Sequence, residues 1–60
     1  MRQADLNRVN KAKEHLKAAY TLLSNIKWEN TINIEDHLLK EAKERIESAG
    51  FYLEDINNII

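Results

Sequence analysis

Residues 12–26 read AKEHLKAAYTLLSNI, and residues 42–56 read AKERIESAGFYLEDI. Laid on one another with a shift of thirty, they are identical at Ala12/Ala42, Lys13/Lys43, Glu14/Glu44, Ala19/Ala49, Leu23/Leu53 and Ile26/Ile56. Leu16/Ile46 and His15/Arg45 match in character. Similarity at a fixed period points to one structural unit used more than once. In both stretches the apolar residues recur in alternating steps of three and four, the spacing that keeps side chains along one side of a helix. The first seam is Val9, Ala12, Leu16, Ala19, Leu23 and Ile26. The second is Leu39, Ala42, Ile46, Ala49, Leu53, Ile56 and Ile60.

Working outward, the pattern lapses near Trp28 to Asn33 and resumes beyond it. The expectation is one all-α domain over residues 1–60: a helix at about 3–28, a linker at about 29–33 and a helix at about 34–58. Asn33 is the preferred N-cap of the second helix, because its side chain can accept from first-turn amides, and Thr31 is the alternative. Glu35 and Asp36 then fall where the helix dipole favours negative charge. A link this short predicts an antiparallel two-helix hairpin, an αα-hairpin. One register sets a large side chain against an alanine in most layers, with paired residue numbers summing to 65: Leu16–Ala49, Ala19–Ile46 and Leu23–Ala42 among them. Gly50, the single glycine, is either a helix stop or a tolerated interior residue. Because the seam stays in phase through Leu53 and Ile56, a continuous helix is expected, with Tyr20 over the space that Gly50 leaves.

Sixty residues bury a marginal core, and folds of this size usually need a staple. The chain has no Cys, which removes disulfides and thiolate metal sites. His15 and His37 show no metal-ligand spacing. Self-association remains, and the sequence supplies apolar residues for it: Leu22, Leu38, Tyr52 and Ile59 fall beside the seams rather than in them. An uncovered apolar strip of that kind marks an interface. The expected assembly is a homodimer, a four-helix bundle with two-fold symmetry. Trp28 and Phe51 fall away from the seam and are candidate anchors for another protein, a role in which aromatic residues are over-represented.

No catalytic constellation is present: the chain has no phosphate-binding glycine loop, no His-Glu-x-x-His and no Cys nucleophile. The expectation is a protein without enzymatic activity, metal or cofactor. With no apolar run near the ~20 residues that span a bilayer and no apolar signal core, a cytoplasmic location is expected, without membrane contact. Abundant Lys, Asn and Ile, encoded by A/T-rich codons, fit a bacterial or phage source. Charge is divided: residues 1–30 carry six Lys/Arg against three Asp/Glu, and residues 31–60 carry three against seven.

Lys13, Lys17 and Lys27 follow a helical row with Tyr20 and Ser24, a candidate basic stripe for nucleic acid. In design, a short antiparallel hairpin with a layered alanine/large seam resembles the Rop-type bundles of plasmids, a likeness of architecture carried by no residue motif. A net charge of −1 and a pI near 6.1 count against tight polyanion binding. The leading expectation is therefore a self-associating helical protein that binds another protein as an adaptor or regulator. A nucleic-acid-binding modulator and a structural spacer are the alternatives.

Overall fold

The computed structural model describes residues 2–59, except for the Trp28 side chain. Trp28 as a partner anchor and Ile60 as the last seam residue therefore lie outside the described residues. The chain is an all-helical hairpin: α1 runs over Gln3–Ser24, a single 3-10 turn over Trp28–Asn30, and α2 over Asn33–Ile59. The two helices pack against each other, giving a rod of 45 × 15 × 12 Å.

Across the hairpin, the Lys13 ammonium pairs with the Glu54 carboxylate, and Asn57 Nδ2 donates to Asn10 Oδ1 at 3.0 Å. The Lys43 ammonium lies 5.7 Å from the centre of the Tyr20 ring. Residue numbers in these pairs sum to 67, 67 and 63, so the helices run antiparallel in a register that brackets 65.

α1 stops at Ser24, short of the expected 28. Its last turn tightens: the Asn25 N–H is shared between Thr21 and Leu22 carbonyls at 3.1 and 3.3 Å, and Ile26 N–H reaches Leu23 O at 3.2 Å. Such three-residue bonds commonly satisfy the orphan carbonyls at a helix end. Ser24 and Asn25 are poor helix formers, because their side chains compete for backbone partners. Ile26, placed in the first seam by its spacing, consequently lies beyond the helix and is exposed.

α2 begins one residue earlier than expected, and its cap is Ile32 rather than Asn33. The Ile32 carbonyl accepts the Asp36 N–H at 2.9 Å, and the Ile32 N–H donates to Glu35 Oε1 at 3.0 Å. That is the returning half of a capping box, in which an acidic residue in the first turn satisfies the cap amide. Asn33 is thus already helical. Further along, Arg45 and Glu41 make the expected i,i+4 pair at 3.3 Å.

Gly50 lies inside α2, and no described residue has a positive φ. A Cβ built on Gly50 would meet nothing within 4 Å, so Tyr20 does not fill that space. Gly50→Ala is accordingly expected to stabilise the fold by about 0.5–1 kcal/mol, through lower unfolded-state entropy and better helix propensity. A rise in urea midpoint at unchanged slope would register it; a fall would mean that the position is occupied.

The seam is also broader than the expected one, and on α1 it is shifted. With Val9, Leu16, Leu23, Leu39, Ile46 and Leu53 as heptad position a, the half-buried residues are a and e on both helices. The e residues are Leu6, Lys13 and Tyr20 on α1, and Asp36, Lys43, Gly50 and Asn57 on α2. Position d is half-buried at Ala42, Ala49 and Ile56 of α2, but on α1 only Ala19 is, and Ala12 is exposed. On α2 the expected seam of a and d is thus half-buried at every described position, with e added to it, whereas on α1 the seam turns from d towards e. Among the described residues not one is buried.

Candidate functional site

The hairpin has two unlike broad faces. Residues seven apart lie on the same side of a helix packed in heptads. Leu38, Tyr52 and Ile59 share heptad position g of α2 with Arg45, and Leu22 shares position g of α1 with Arg8 and His15. All four apolar members are open to water: Leu22 at 70%, Leu38 at 60%, Tyr52 at 73% and Ile59 at 85% exposure. The alanines and isoleucines of position d lie between these rows and position a. This d/g face is thus a low floor of Ala12, Ala19, Ala42 and Ala49 flanked by large apolar side chains.

Two further isoleucines adjoin this flank: Ile34, which was not singled out from the sequence, and Ile26, which was placed in the seam. Ile34 stands one helical turn before Leu38 and is exposed, as is Ile26 at the end of α1. The four-residue step from Ile34 to Leu38 was the available signal. It was obscured because Ile34 fell at the expected edge of the linker.

The opposite face carries an apolar-floored groove of about 460 Å³. Leu16, Ile46 and Gly50 line it, with Lys13 and Lys17 on the α1 side and Glu47 and Glu54 on the α2 side. Phe51, the second aromatic candidate for a protein partner, lies on this face and is exposed. It is therefore separated from Leu22, Leu38, Tyr52 and Ile59, and the two sets do not form one patch.

The basic row does not run as the sequence suggested. Lys13 is half-buried and paired with Glu54, and Lys17 lines a groove whose other wall carries Glu47. Lys27 lies past the end of α1, in a separate hollow beside Ile26, Glu29, Asp36 and Lys40. The helix that was to carry all three lysines ends before the third, and acids of α2 stand beside the other two.

Among the described residues, no three His, Cys, Asp or Glu side chains gather in a metal-holding group. No helix formed by them is long and apolar enough to cross a membrane. No protein-family model matches the chain, and no curated protein or solved structure shows significant similarity to it.

Proposed function

We propose that this chain is a non-enzymatic, self-associating helical module that works by binding protein, with the d/g face as its primary contact surface. The carrying observation is the absence of any buried residue among those described, together with the exposed rows of that face. A folded monomer of 7.0 kDa is expected to show about 4,000 Å² of accessible surface. This hairpin shows 5151 Å². The excess, about 1,100 Å², exceeds the ~800 Å² that each partner contributes to a stable interface of standard size. Association would remove surface that the isolated hairpin has no means of covering.

Nucleic-acid binding draws less support, since the acids Glu47 and Glu54 of α2 stand across the groove from Lys13 and Lys17, which were to follow a phosphate backbone. Light scattering across about 5–500 μM, with thermal melts at the same concentrations, tests the proposal. The expected result is a mass of two chains and a melting temperature that rises with concentration, as it must when partners bind only the folded state. A monomer throughout, melting at one temperature, would remove the self-association.

A further inference from the structure

The division of charge between the helices bears on how two hairpins lie together. We propose that two copies pair through their d/g faces about a two-fold axis parallel to the helices, so that α1 of each covers α2 of the other and both linkers lie at one end. This rests on the self-association proposed above.

A second copy is the occupant that the surface fits. The face is an alanine floor with Leu38, Tyr52 and Ile59 along α2 and Leu22, beside Arg8 and His15, along α1, and small floor residues let helices approach closely. Stacked hairpins admit two in-plane two-fold axes. One perpendicular to the helices sets α1 against α1 and α2 against α2, with the linkers at opposite ends. The other, parallel to the helices, sets α1 against α2 throughout. At positions c, d and g, which form or border this face, α1 carries Arg8 and Lys11 against Asp5, and α2 carries Glu35, Glu41 and Asp55 against Arg45. The parallel axis makes every neighbouring pair of helices opposite in charge, whereas the perpendicular axis puts like beside like. Like-charge contact of this sort selects against the wrong arrangement.

An axis parallel to the helices also leaves the height of each residue unchanged. The register inside a hairpin, with sums of 63 to 67, therefore reappears between hairpins. His15 then meets Tyr52 of the second copy, Leu22 meets the Arg45 stem, and Leu38 comes to Ile26. Lys11 stands opposite Asp55 of the second copy. Each of the four exposed g residues gains cover: Ile59, at the open end, lies against the Arg8 stem. Long basic side chains readily lay their apolar stems on such surfaces.

The chain has no native Cys, so one introduced thiol reports one place. Asn30→Cys labels the linker end and Gln3→Cys, as an independent second variant, the open end; both positions are exposed. Spin labels would be read by pulsed dipolar spectroscopy on samples whose mass is measured in parallel. The expected result is a dimer with label separations below about 30 Å at both sites, given interaxial distances of 8–10 Å between neighbouring helices. A dimer with both separations beyond about 40 Å, the length of α2, would overturn the arrangement and leave self-association standing. A monomer would overturn both, and a mass above two chains would overturn the two-fold pairing.

Discussion

Leu38→Glu is expected to weaken the dimer by about 100- to 1,000-fold while leaving the helical content of the assembled protein unchanged. Leu38 is 60% exposed in the hairpin, so most of its burial is still to be gained. Full burial of a leucine side chain is worth about 1.5–3 kcal/mol, and a two-fold interface loses the contribution twice. With each 1.4 kcal/mol equal to a factor of ten, that loss and the desolvation of two carboxylates reach the stated range. Glu is a good helix former and stands in the N-terminal part of α2, so the helix itself is not penalised. Sedimentation equilibrium of both proteins would measure the change. Unaltered self-association would remove Leu38 from the interface. Loss of helicity at every accessible concentration would instead show that the g row and the hairpin seam act as one surface.

Ala49→Leu should have the second large effect, acting within the hairpin. Ala49 is half-buried, and the register sets it opposite Leu16. Adding three carbons where a large residue already stands forces the helices apart or the side chains off their rotamers, at a cost of about 1–3 kcal/mol. For a domain of this size the melting temperature should fall by about 4–20 °C. Ala19→Leu should behave alike, since Ala19 faces Ile46 in the same register. Ala18→Leu, at an exposed position, should change little and serves as the control. A melting temperature for Ala49→Leu equal to that of the control would show that Ala49 faces water and that the register is displaced.

The hairpin itself was legible because both helices carry the three-and-four spacing over several turns, and a short link leaves little choice but reversal. Gly50 was legible for the same reason: the phase of the seam continues past it at Leu53 and Ile56. The ends of the helices were not. Leu23 to Ile26 keeps the right step, yet Ser24 and Asn25 stop α1 between them, and spacing alone does not register that local competition. Nor does a list of cap-forming residues anticipate Ile32, which has no side-chain acceptor of its own and whose amide donates to Glu35 three residues later.

The turn of the α1 seam from d towards e, and the addition of e on α2, were hidden for a different reason. Hydrophobicity gives the direction of a helix face only as well as the large residues define it, and position d is largely alanine. An alanine draws a helix face inward only weakly, so Lys13, Tyr20 and Lys43 can take the other edge with their long stems and ring. That substitution moved Lys13 from an open basic row into a pair with Glu54. It also left Ala12 exposed, a detail that a strict heptad would have buried.

In a hairpin whose described residues all keep contact with water, the proposed self-association would also tie the lifetime of the chain to its abundance. Proteases cut opened chains, and where opening is rapid the rate follows the opened fraction. If association supplies the missing stability, that fraction depends on how much of the protein is present and on whether its binding surface is occupied. Newly made copies below the pairing threshold would be cleared, and paired ones retained. Synthesis beyond that threshold would therefore accumulate steeply rather than in proportion, a dosage response set by the missing core with no separate control element.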